Sequence, residues 1–171
     1  MLVDEIIKEP YDEFGYAIRY QKSLAQGDYI TANTLSAVKL SDSSDVTATC
    51  LASSTGTVPS GTATGGSTTT IVNTAIDHAA VGFEVGDYVT NQTLGFTALI
   101  VQIKKTTNKN DTLVIKEQPV ATVSTNTYSA LKCIASLKAG TDATRFKVIY
   151  RVTTNLTRKF EDEIIVNVKD F

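Results

Sequence analysis

Along most of its length the chain alternates apolar and polar residues with a period of two. The runs are short and are broken by Gly, Asp, Asn and Ser. A strand turns successive side chains to opposite faces, so this alternation predicts half-buried β-strands joined by turns. Phe14, Tyr16, Ile18 and Tyr20 alternate with Gly15, Ala17 and Arg19 and form the first such face. Gln26-Gly27-Asp28 reads as a turn into Tyr29-Ile30-Thr31, with further strands expected over 34–40 and 46–52. Near the other end, Leu131, Cys133, Ala135 and Leu137 share one face, with Lys132, Ile134 and Ser136 on the opposite one. Phe146, Val148, Tyr150 and Val152 face away from Lys147, Ile149 and Arg151, and Ile164, Val166 and Val168 close the chain. Residues 2–7 suit either a terminal arm or a short helix.

The middle differs in style. Residues 53–67 are dominated by Ser, Thr and Gly and read as a loop or linker. A compact stretch over 68–118 follows. It holds an expected strand at 69–72, a helical turn over 75–81 and the turn Val85-Gly86-Asp87 entering a strand at Tyr88. Further strands at 96–104 and 112–116 are joined by Asn108-Lys109-Asn110-Asp111. The expected architecture is an all-β sandwich formed by 14–55 and 122–171. A small β-barrel-like domain over 56–121 splits it, and 1–13 form an N-terminal arm.

Bulk properties narrow the class. The 171 residues are 42% hydrophobic and 20% charged, enough apolar material for a core. Sixteen basic and eighteen acidic residues leave a charge of -2, so no global field attracts nucleic acid or an anionic membrane. No apolar run has the length of a membrane-spanning helix, and the acidic start Asp4-Glu5 is unlike a secretory leader. The expectation is synthesis in the cytosol, with Cys50 and Cys133 as buried thiols on neighbouring strands rather than a disulfide.

Candidate chemistry is sparse. His78, beside Asp77, is the only histidine and lacks partners for a catalytic set, so a solvated or capping role is expected. Cys50 and Cys133 lack zinc-ligand spacing, and Asp42, Asp45, Asp77 and Asp87 do not form a calcium loop. Gly65-Gly66-Ser67 lacks the Lys of a phosphate loop. Lys104, Lys105 and Lys109 read as a solvated turn, and the mixed run Arg158–Glu163 as an exposed hairpin. No catalytic, cofactor-binding or metal-binding residue is assigned.

A family resemblance is carried by Lys8-Glu9-Pro10, then Tyr16-Ala17-Ile18-Arg19-Tyr20, then Leu24-Ala25-Gln26-Gly27-Asp28-Tyr29-Ile30. It continues through Ala139-Gly140-Thr141 and Thr153-Thr154-Asn155 to the hairpin Arg158–Val168. These segments resemble small structural proteins of tailed bacteriophages and prophages. Those share a K-(D/E)-P start, a Y-x-I strand, an L-x-x-G-D-x-I turn, a G-T turn and a final T-T-x-x-G-R hairpin. The stretch 61–70 with Val85-Gly86-Asp87-Tyr88-Val89 is similar to another unit that recurs in phage structural proteins. This sequence departs from the pattern at Arg19, where an acidic residue is usual, and at Asn155 and Leu156 in the hairpin.

The resemblance implies an immunoglobulin-like sandwich and a non-enzymatic virion component, either capsid decoration or a head–tail accessory. It implies the major capsid protein or neck and tail proteins as partners, a homo-oligomer or symmetric array, and no cofactor, nucleic acid or membrane. The alternative is a recognition module of a fibre or baseplate that binds host-surface carbohydrate or another receptor. Within the insert only Phe83, Tyr88 and Phe96 could stack on a sugar, and at least two of them read as core.

Overall fold

The computed structural model describes residues 2–140 and 143–169. It is 48% strand and 2% helix, so the fold is all-β, as the alternation predicts. In chain order the first strands are β1 (Leu2–Lys8), β2 (Phe14–Arg19), β3 (Ile30–Lys39), β4 (Ser60–Thr62), β5 (Gly65–Gly66) and β6 (Thr70–Val72). They are followed by β7 (Tyr88–Asn91), β8 (Phe96–Lys104), β9 (Thr112–Ile115), β10 (Thr127–Ala130), β11 (Lys132–Leu137), β12 (Arg145–Thr154) and β13 (Lys159–Val168). The helical turn α1 covers Thr47–Cys50.

The chain divides into two compact units. One comprises Met1–Ile18, Thr31–Thr57 and Cys133–Phe171; the other comprises Arg19–Ile30 and Val58–Lys132. These differ from the boundaries expected at 56 and 121, and the turn segment after β2 belongs with the second unit. The reason lies in hydrogen bonds from that segment to threonines of β7 and β8. Gly27 N–H donates to the Thr97 hydroxyl at 3.0 Å, and the Thr90 hydroxyl donates to the Asp28 carbonyl at 2.9 Å. Gly27 also has φ +77°, and a Cβ there would stand 2.4 Å from the Gly95 carbonyl oxygen. Glycine is required at that place in the L-x-x-G-D motif.

In the first unit a four-stranded sheet has the order β1-β13-β12-β3, and β11 pairs with β2. Phe146, Val148, Tyr150 and Val152 of β12 and Ile164, Val166 and Val168 of β13 are all buried. Residues 2–8, read from sequence as an arm or helix, instead form a strand parallel to β13, with Lys8 opposite Val168. Residues 46–52, expected as a strand, contain α1. Asp45 Oδ1 accepts the Thr47 N–H at 2.8 Å, and the Thr49 hydroxyl donates to the Val46 carbonyl at 2.9 Å. Such local bonds compete with a ladder and favour a turn. The two strands expected over 29–31 and 34–40 are one, β3.

The β12–β13 turn holds Thr157 at φ +59°. This left-handed conformation strains a β-branched side chain and would suit glycine.

The second unit has the strand order β4-β10-β7-β8-β9-β6-β5. Its core gathers Ile71, Phe83, Val89, Ile100, Leu113 and Tyr128. The Ser/Thr/Gly stretch expected as a linker supplies β4 and β5. Only Ala63 and Thr64 separate them, so one short segment carries both ends of the strand order. Ala63 N–H donates to the Asn126 carbonyl and Thr64 N–H to the Val72 carbonyl, each at 2.8 Å. Of this segment's apolar side chains only Ala63 enters the core, which is why its pattern does not announce strands.

Tyr150 is fully buried and its hydroxyl donates to the Tyr16 carbonyl at 2.9 Å. Tyr150→Asp is expected to abolish folding, since it buries an uncompensated carboxylate. Lys109→Asp on the exposed turn is expected to leave unfolding unchanged. Circular dichroism with urea titration of both variants checks the pair, and equal tolerance would contradict the strand assignment. Thr157→Gly is expected to raise stability by up to about 1 kcal/mol by removing left-handed strain, read from the same titration.

Candidate functional site

The lone histidine is placed by two loops and a strand of the second unit. His78 is fully buried, which corrects its expected solvated role. Its Nδ1 lies 2.8 Å from the Asn110 carbonyl, which can only accept, so Nδ1 carries the hydrogen. Its Nε2 lies 2.8 Å from the Tyr128 hydroxyl, which therefore donates to it. Asn73 Nδ2 in turn donates to that hydroxyl at 3.1 Å. Phe83 packs on the ring edge at a centroid distance of 5.4 Å. Burial holds the imidazole below its ordinary range and raises the Tyr128 hydroxyl to about 12. The constellation is a closed network in which both ring nitrogens and the phenol have partners.

A second polar centre in the same unit went unread in the sequence. Lys132 and Asp87 are 1% and 2% exposed, with Nζ 2.5 Å from Oδ2. Arg19 Nε reaches Asp87 Oδ1 at 2.9 Å and its Nη2 reaches Glu84 Oε2 at 2.5 Å. Asp87 Oδ2 also accepts the Glu84 N–H at 3.0 Å, which closes the turn before β7. Alternation placed Lys132 on the outer face, with Ile134 and Ser136. It is buried because its ammonium has a buried counter-ion there. The same partner explains Arg19, whose guanidinium faces Asp87 and Glu84.

The other candidates are structural. Both cysteines are buried and free, and burial pushes their thiols up, Cys133 to about 12. They do not face each other. Cys50 C=O accepts the Lys138 N–H, whereas Cys133 Sγ sits where a Cβ on Gly56 would fall. Lys138 and Cys133 are five positions apart along the chain, about 16 Å at ~3.3 Å per residue. Asp42 and Asp45 bond to Ser44 and Thr47 in local turns, and Asp77 accepts from Ala80 and Asn110. Among the described residues no group of three or more His, Cys, Asp or Glu could hold a metal ion. Gly65 and Gly66 form β5, and a Cβ on Gly66 would meet the Thr70 carbonyl at 2.4 Å. Lys104, Lys105 and Lys109 are exposed. Of the three aromatics that could stack on a sugar, Phe83 is core and Tyr88 and Phe96 are half-buried.

What remains open is an edge. Among the described residues β1 has β13 as its only strand neighbour and ends the sheet. Lys169 N–H donates to the Lys8 carbonyl, so the backbone groups of Lys8 face β13. By alternation those of Glu5 and Ile7 face outward. Ile7 is 54% exposed and Tyr11, just past the strand, is 92% exposed. On the outer sheet face Arg151 pairs with Glu161, Lys147 with Glu163 and Arg145 with Glu5. That face carries these ion pairs together with buried Ile149 and half-buried Ile165, and beside the β1 edge Ile7 and Tyr11 stand exposed.

Removing one partner of a buried ion pair leaves the other uncompensated, so Asp87→Ala is expected to cost about 3–5 kcal/mol. Lys132→Met in the same chain is expected to recover much of that loss. Chemical denaturation of the single and double variants measures the coupling, and additive losses would argue against the pair. No protein-family model matches this chain, no curated protein matches it, and no solved structure matches its fold.

Proposed function

We propose that this protein is a non-enzymatic structural component of a tailed-bacteriophage virion that binds neighbouring capsid, neck or tail proteins. The observation that carries the reading is the open edge of β1, flanked by exposed Ile7 and Tyr11. An exposed edge accepts an extended segment of a neighbour by main-chain hydrogen bonds, with apolar contacts beside it. The Glu5 N–H is turned onto Asp4 Oδ1 at 2.8 Å, which blunts the edge in the free protein.

Strand order supports the same reading. The neighbours β13-β12-β3 and the pair β11-β2 correspond to the C–F–G sheet and the B–E neighbours of an immunoglobulin-like sandwich. That is the scaffold the resemblance implies. The second unit is then the barrel-like insert, its strand order returning on itself through the Ser60–Gly66 segment. Copies in a symmetric array add weak contacts into firm attachment without any single deep pocket.

Cryo-electron microscopy of intact particles, with the chain traced in the map, tests the proposal. Density repeated over the lattice is the expected result for a decoration protein, and a single ring at the portal vertex for a connector. Absence from the particle overturns the reading, and presence only at a fibre tip replaces it with recognition. The double substitution Ile7→Lys and Tyr11→Ser is expected to change stability by no more than about 0.5 kcal/mol and to release the protein from particles in co-sedimentation. Retention would place the contact elsewhere.

A further inference from the structure

We infer that the His78–Tyr128–Asn73 network is an acid-sensitive latch of the second unit, closed when Nε2 is unprotonated and released when it takes a proton. The hydrogen positions follow from the partners. Asn110 presents a carbonyl to Nδ1, so the hydrogen is there. Asn73 cannot reverse its amide, because its Oδ1 accepts the Ala75 N–H at 3.0 Å. Its Nδ2 must therefore donate to Tyr128, and the Tyr128 hydrogen goes to Nε2.

A proton on Nε2 gives that nitrogen a hydrogen of its own, so hydrogens from His78, Asn73 and the phenol itself all crowd one buried oxygen. The phenol hydrogen must then find another acceptor. On one side Gly61 packs so closely that a Cβ there would lie 2.6 Å from the hydroxyl. The result is a displaced phenol hydrogen beside a buried cation, and both are costly.

The surrounding charges do not reverse this. On the histidine's own turn Asp77 accepts from Ala80 and Asn110. From the facing loop Asp111 accepts from the Thr106, Thr107 and Thr112 hydroxyls. Lys109 turns its ammonium to the Ala75 carbonyl at 3.1 Å. Both carboxylates favour the imidazolium, yet desolvation outweighs them and holds the group below its ordinary range. What the ring ties together is the turn after Asp77, the loop ending at Asp111 and β10. Those are the parts that loosen when the latch opens.

The sign follows from linkage. The unfolded chain binds the proton more readily, so stability is full above the ordinary histidine range and falls as pH drops through it. The fall continues until the lower folded-state value is reached, by up to about ten-fold in the folding constant per pH unit. The chain has one histidine, and both thiols are pushed up, away from this window. A ring resonance followed through this window therefore belongs to His78.

The test is nuclear magnetic resonance of the single histidine ring, with unfolding measured in parallel at each pH. The expected result is a folded-state ring that stays neutral with hydrogen on Nδ1, while the folding constant drops over about pH 6.5 to 5. His78→Gln, where it folds, is expected to flatten that drop. A ring that titrates in its ordinary range within the folded state overturns the latch. So does a folding constant that does not change across this window in the native chain, whether or not the variant folds.

Discussion

A carboxylate buried to the degree of Asp87 has to be held by cations and hydrogen bonds, and the second unit is arranged around meeting that requirement. Lys132 and Arg19 supply the cations and the Glu84 N–H a further donor. Arg19 opens the unit's first segment and Lys132 ends its last, so the first entry and the last exit of the chain are tied to one side chain. The same turn sets β7 in register with β8: Gly86 N–H donates to the Ile100 carbonyl, and Ile100 N–H to the Asp87 carbonyl. Arg19 and Glu84 are 40% and 57% exposed, and their mutual pair adds little. The weight rests on Lys132 and Asp87.

Other buried polar groups of that unit work alike. Asn91 Nδ2 donates to Thr122 and Asn126, and Gln118 donates to Thr122 at 2.7 Å, which pins the loop before β10. Asp111 does the same for the loop before β9, and its threonine hydroxyls hold its carboxyl well below the usual range. Each such group costs about 1–3 kcal/mol if left without its partner, so the loops have one arrangement rather than many. A unit with strands of two to nine residues gains its definition from these fixed turns.

The first unit is built differently. Its apolar residues lie on one face of long strands, and fully burying each Val, Ile, Leu or Phe contributes about 1.5–3 kcal/mol. Its other face carries cross-strand ion pairs that stabilise little. That leaves the β1 edge as the place where a partner gains most, because backbone groups and apolar side chains coincide there. The proposed virion role therefore rests on an edge rather than on a pocket or a catalytic group.

The sequence by itself determined the all-β class and the long strands of the first unit. Period two survives wherever one sheet face is drier than the other, as over Ile164–Val168, while in Phe146–Val152 Ile149 on the opposite face is buried as well. It also located the turns at Gly27 and before Tyr88, where only glycine meets the backbone demand. It could not determine β1, β4 and β5, whose strand character comes from distant partners rather than from their own alternation. Nor could it determine the burial of Lys132 and His78. Periodicity ranks a lysine or histidine as polar and assigns it to water. Whether it is buried depends on a counter-ion or hydrogen-bond donor 45 or 50 positions away in the chain, and only the tertiary fold brings Asp87 to Lys132 and Tyr128 to His78.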